Sequence, residues 1–163
     1  MKKIILFSSI ALASGVLFAN IFNSVVISEA AKSDIPDSVI AARAYFKTVT
    51  PGDFFKIISP ATQVITLFSI ILFWNYRKVR FFLWISLLCY ISGDIFAFTY
   101  FHPRNEIIYL SEPIPDNETL TKLLNEWSRM NWVRSFILFV GLAFSFLALD
   151  KSYKMMPKVY QRT

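Results

Sequence analysis

Residues 79–101 read VRFFLWISLLCYISGDIFAFTYF. At about 1.5 Å rise per residue this stretch is long enough, as a helix, to cross the hydrocarbon of a bilayer. After Arg80 its one charged residue is Asp94. A carboxylate near mid-helix costs roughly 3 kcal/mol on insertion scales, so such a residue normally faces a bundle interior. The stretch therefore predicts a membrane-spanning helix with neighbours that receive Asp94.

Working outward, three more stretches qualify. Residues 4–27 are interrupted only by small residues and by Asn20 and Asn23, residues 57–74 read IISPATQVITLFSIILFW, and residues 132–149 read WVRSFILFVGLAFSFLAL. The hydrophobic fraction of 55%, the aromatic fraction of 17% and only four glycines fit one small polytopic domain rather than a soluble core. The expected fold is an all-α, integral membrane four-helix bundle comprising residues 1–163. Its outer loops are expected at 28–56 and 102–131.

Lys2-Lys3, an apolar run and Ala11-Leu12-Ala13 follow the grammar of a cleaved signal. The apolar run continues to Ile27, which favours a retained first helix. Lys and Arg near the span ends set the orientation. An N-in/C-in topology places Lys2, Lys3, Arg77, Lys78, Arg80, Lys151, Lys154, Lys158 and Arg162 on the cytoplasmic side. Nine of the 11 acids then lie outside, so nearly all of the net charge of +6 meets anionic headgroups. The basic balance thus reflects the positive-inside rule, and no nucleic acid is expected as a partner. The expected location is a bacterial inner (cytoplasmic) membrane. Cys89, the single cysteine, supplies no disulfide and no zinc pair.

Between spans two and three the turn is very short, so those helices are antiparallel neighbours. In the first outer loop Asp34-Ile35-Pro36-Asp37 reads as a helix start, and SVIAARAYFKTV as a short amphipathic helix at the interface. In the second, Asp116 is placed to cap a helix. Leu120, Leu123, Leu124, Trp127, Asn131 and Arg134 then recur at three- and four-residue spacing on one face. The fourth helix is therefore expected to begin outside the membrane near Asn117 and to run unbroken to about Leu149.

Helical rise puts Asn20, Gln63 and Asp94 at about 10 Å below the outer surface, with Asn23 and Arg134 somewhat higher. All five fall in one outer layer. The simplest arrangement pairs Asp94 with Arg134 and lets the amides satisfy the remaining lone pairs. Gly15, Ala19 and Asn23 are expected to share a close-packed face. Such a layer has two readings: structural glue that fixes helix register, or a ligand-facing site, which is the leading one because intramembrane ionisables are functional by default. His102, the only histidine, is a candidate general base above the layer. A metal site wants more imidazole or thiolate than this, and Pro103 is expected to keep His102 and Glu106 from standing one helical turn apart. The aromatics around the mouth, Trp127 among them, suit an interfacial belt or the wall of an apolar pocket.

Pro103-x-Asn105, then Trp127-x-x-x-Asn131-x-x-Arg134 leading into a last apolar span, resembles the four-helix membrane family of mostly unknown function that includes the anthrone oxygenases. The architecture corresponds over nearly the whole chain, the specific residues only over 103–134. The resemblance implies a compact bundle with Asn105, Trp127, Asn131 and Arg134 lining an outer site. For its oxygenase members it implies oxidation of an activated aromatic carbon by O₂ with no metal, flavin or other cofactor. It places neither His102 nor Asp94. The expected function is thus an outward-facing site for an apolar or aromatic small molecule, oxygenase-like. Asn20, Asn23, Gln63, Asn105, Trp127, Asn131 and Arg134 would be binding residues, with His102 or Asp94 accepting the proton. The rival is a non-catalytic accessory or assembly subunit of a larger membrane complex, for which the tail KSYKMMPKVYQRT could dock a partner.

Overall fold

A computed structural model of the chain describes residues 2–155. Those residues form five helices and no strand: α1 (Lys2–Lys32), α2 (Asp37–Tyr45), α3 (Pro51–Leu72), α4 (Arg77–Leu110) and α5 (Asn117–Met155). All but α2 are long and apolar enough to cross a membrane. Most of the tail expected to dock a partner, residues 156–163, lies outside the described part.

The four long helices form an up-down-up-down bundle in which α1 packs on α3 and α5, and α4 packs on α3 and α5. Contacts at the ends fix the directions. Lys2 and Lys3 at the start of α1 approach the rings of Tyr76, in the α3–α4 turn, and Tyr153, near the end of α5. The core runs between them through Leu6, Ile10, Ala13, Val16 and Leu17 of α1, Ile70 and Phe73, Leu83 and Leu87 of α4, and Leu138 and Leu142 of α5. Phenylalanines such as Phe18, Phe68, Phe81, Phe136 and Phe139 point outward from the same helices. A helix apolar on every side is what lipid contact demands.

At the other end the bundle continues past the expected span limits. The segments read as outer loops are largely helical: α1 runs to Lys32, α3 starts at Pro51, and α4 continues to Leu110. Thr50 and Asp53 set the start of α3 through a reciprocal capping box, with Pro51 at the first helical position. Asp116 accepts the N–H of Thr119 at 2.9 Å and its hydroxyl at 2.8 Å, the cap expected for α5. Together these extensions enclose a second small core of Ala31, Val39, Ile108, Leu120 and Leu124. Val39 is fully buried there, so α2 packs as a lid on the bundle end. Arg43 of α2 fastens the lid by donating to the carbonyls of Ile108 and Ser111 at the end of α4.

Two wide π turns interrupt the long helices, at Asn23–Ile27 and Ala97–Phe101. The second explains how α4 passes Pro103. A proline in a regular helix loses an N–H bond and presses its ring on the carbonyl four residues earlier. The π turn widens the preceding backbone and lets the helix restart at His102 with Pro103 in its first turn. His102 and Glu106 therefore do stand one turn apart, Nδ1 to Oε1 3.5 Å, contrary to the expectation that Pro103 forbids it. The small-residue face is also placed differently. Gly15 is exposed, with no packing neighbour within 4 Å of where a Cβ would stand, and the stripe of α1 that packs inward includes Ala13, Val16 and Asn20, spaced three and four apart. The close approaches belong instead to Gly93 and Gly141, where α4 meets α5.

Candidate functional site

Asn20 and Asn131 form the centre of the outer layer. Each amide nitrogen donates to the other's backbone carbonyl, Asn20 Nδ2 to Asn131 O at 3.2 Å and Asn131 Nδ2 to Asn20 O at 3.0 Å. The clasp is reciprocal, and it fixes α1 against α5. The second N–H of each amide goes to a serine one turn along, Asn20 to Ser135 Oγ at 2.8 Å and Asn131 to Ser24 Oγ at 2.7 Å. Asn20 Oδ1 then accepts from Arg134 Nη1 at 2.9 Å.

From Arg134 the network continues to α4 and α3. Arg134 Nη2 stands 3.6 Å from Asp94 Oδ1, and Gln63 Nε2 donates to Asp94 Oδ2 at 2.6 Å. The guanidinium carbon lies 4.7 Å from the ring of Phe55, whose π face supports the charge. Only 7% of the Arg134 side chain is exposed, against 30% for Asp94. Helical spacing accounts for the convergence. Asn131, Arg134 and Ser135 are three and four apart on α5, and Asn20 and Ser24 are four apart on α1.

Two features of the layer are unfilled. Arg134 Nε and the Ser59 hydroxyl are buried without a hydrogen-bond partner, and Arg134 Nη2 has only its ion pair with Asp94. A buried donor left this way costs about 1–3 kcal/mol, and a charged one more. Beside Ser59 and Asp94 a cavity of about 10 Å³ is lined also by Val16, Thr62, Gln63, Tyr90 and Leu138. That is about the volume that accommodates one water.

Of the residues singled out in the sequence, Asn20, Gln63, Asp94, Asn131 and Arg134 are joined in this one chain of contacts. Asn23 is buried next to them but makes none of its bonds. Trp127 and Asn105 form a separate contact above, Trp127 Nε1 donating to Asn105 Oδ1 at 2.9 Å, with Phe101 edge-on to the indole at 5.3 Å. His102 lies on the outside of α4, 57% exposed, with Glu106 and the ring of Phe98 as its neighbours. Sequence reasoning did not single out Ser24, Ser59, Ser135 or Phe55. The signal for the first and third was present, since each stands one turn from an asparagine already identified. Among the described residues no group of three or more His, Cys, Asp or Glu side chains could hold a metal ion.

The fold and site thus define a helical bundle of membrane-spanning dimensions with a polar layer joining all four long helices. Comparison with protein-family models, with curated proteins and with solved structures returns no match.

Proposed function

We propose that the outer layer is a binding site for a small apolar or aromatic molecule carrying an acceptor oxygen, held by Arg134. The single observation behind this reading is the buried Arg134 guanidinium, whose Nε has no hydrogen-bond partner and whose Nη2 meets only Asp94, at 3.6 Å. A cationic donor not fully used by the protein, in a water-poor site, is what an anionic or carbonyl oxygen requires. Asp94, 30% exposed, is the open side of the layer, and because the space beside it holds about one water, a larger molecule enters only where the helices part there. Asn131 spends both donors on α1, which makes it a positioning residue for Arg134 rather than a ligand donor. Asp94 adjoins Arg134 and is the better placed proton acceptor; His102 faces away with Glu106.

The resemblance to the anthrone oxygenases supplies the chemistry in this proposal. A ring methylene loses a proton to Asp94, Arg134 holds the resulting enolate oxygen, and O₂ takes up the carbanion. The balance is R₂CH₂ + O₂ giving R₂C=O and H₂O, so O₂ is the only oxidant needed. The orientation in this reading is N-in/C-in, in a bacterial inner membrane, supported by the Lys and Arg residues gathered at the end that carries the α3–α4 turn. Oxygen uptake by the purified full chain in lipid nanodiscs with an anthrone tests the proposal. Turnover above the uncatalysed rate is expected, with Arg134→Gln slower by about a hundredfold. Unchanged binding and turnover in Arg134→Ala and Asn131→Ala would sink it.

A second reading, a non-catalytic subunit of a larger membrane complex, is favoured by the size of the cavity and the helix-to-helix direction of most bonds in the layer. Purification in mild detergent separates the two: a stoichiometric partner protein supports the subunit, and an isolated bundle that turns over an anthrone supports the binding site.

A further inference from the structure

The opposite end of the molecule carries a groove of about 560 Å³ where α3 turns into α4. Trp74, Arg77, Lys78 and Arg80 form its polar side, and Phe81 and Trp84 its apolar wall. Arg80 is held in place rather than free: Nη1 donates to the Trp74 carbonyl at 2.9 Å, and the guanidinium lies 4.4 Å from the Trp74 ring. Among the described residues no carboxylate lies within ion-pair distance of Arg77, Lys78 or Arg80. At the same end Asp150 lies 2.8 Å from Lys154 and 3.8 Å from Lys151, so those two lysines share one carboxylate. Three uncompensated cations thus surround one concavity.

We propose that this groove is a binding site for one anionic phospholipid, its phosphate against Arg77, Lys78 and Arg80 and its acyl chains along Phe81 and Trp84. Charge complementarity selects the headgroup. A zwitterionic lipid brings an ammonium group toward the same three cations, whereas a phosphatidylglycerol brings none. The apolar wall selects a lipid over a soluble phosphate: Phe81 is 59% and Trp84 40% exposed, and both lie on the bilayer-spanning helix just past the cations. Basic pockets at the ends of membrane helices recognise anionic headgroups in this way. The site stands apart from the outer layer and does not depend on what that layer binds.

Native mass spectrometry of the full chain in detergent, with phosphatidylglycerol, phosphatidylcholine or inorganic phosphate added separately, tests the assignment. Detergent removes orientation from the question, so a change of topology in cells has no bearing on the result. One phosphatidylglycerol is expected to be retained in preference to phosphatidylcholine, and millimolar phosphate is expected neither to bind nor to displace it. Arg77→Gln, Lys78→Gln and Arg80→Gln should each weaken retention about fivefold, while Lys151→Gln with Lys154→Gln leaves it unchanged. Equal retention of the two lipids, displacement by phosphate, or full retention by the triple glutamine variant overturns the proposal. The lipid comparison is made on the unmutated protein, so it stands even where a variant fails to fold.

Discussion

Asn20 is the residue on which most of the outer layer hangs, because it donates to Asn131 and Ser135 and accepts from Arg134. Interhelical hydrogen bonds in membranes contribute about 0.6 kcal/mol each on average. Removing three at once, and leaving a buried guanidinium with no hydrogen bond, predicts that Asn20→Ala loses about 2–3 kcal/mol. Ser135→Ala, which removes one bond, should lose about 0.6 kcal/mol. Unfolding of the detergent-solubilised protein measures both. In a double-mutant cycle, Asn20→Ala and Asn131→Ala should be close to additive, because each amide bonds the other residue's backbone carbonyl, which alanine keeps. A coupling of about 1 kcal/mol or more would mean that the two amides order each other beyond these two bonds.

Among the helices, the tightest approach is that of α4 to α5. A Cβ on Gly141 would come within 2.7 Å of Tyr90 Cε1 and 2.9 Å of Cys89 Cβ. Cys89 Cβ is fixed to its backbone and cannot swing aside, and Tyr90 is tied to Ser145 at 2.9 Å. Gly141→Ala should therefore cost about 1–3 kcal/mol through overpacking. A Cβ on Gly93 meets the flexible end of Leu138 at 3.1 Å. There the gain of about 1 kcal/mol from replacing glycine in a helix offsets the crowding, and Gly93→Ala should be near neutral. Thermal unfolding of the two variants side by side reads the difference. At the start of α5, the Thr119 N–H, and after it the Thr119 hydroxyl, hold the Asp116 carboxyl below the usual carboxylate range. Because the folded value is the lowered one, the cap acts in full above the unfolded value and is lost as pH falls below about 4. Amide exchange in the first turn of α5, corrected for intrinsic rates, should rise as pH falls below that point. Asp116→Ala should show the faster exchange at neutral pH.

For the molecule as a whole, the packed lid and the basic groove lie at opposite ends of one bundle, so a single topology assigns both. With Cys89 replaced by serine, a cysteine at Lys47 should react with a membrane-impermeant maleimide added to intact cells. A cysteine at Asn75 should react only after the membrane is opened. The reverse pattern would overturn the N-in/C-in proposal and place the outer layer on the cytoplasmic side.

The amino-acid sequence by itself determined the four long helices, the cap at Asp116, the unbroken run of α5 and the common level along the bundle of Asn20, Gln63, Asp94 and Arg134. Each of these rests on apolar length, local capping chemistry or the 100° turn between successive helical residues, all of which are properties of one segment at a time. Tertiary structure decided what each polar residue touches. It joined Asn20 to Asn131, put His102 on the outside, left Gly15 and the Asn23 amide without partners, and closed the space beside Asp94 to about 10 Å³. Those outcomes depend on the rotation and height of all four helices at once, shifted further by π turns at Asn23–Ile27 and Ala97–Phe101. A hydrogen bond tolerates a few tenths of an ångström, and only the packed bundle fixes its helices that closely.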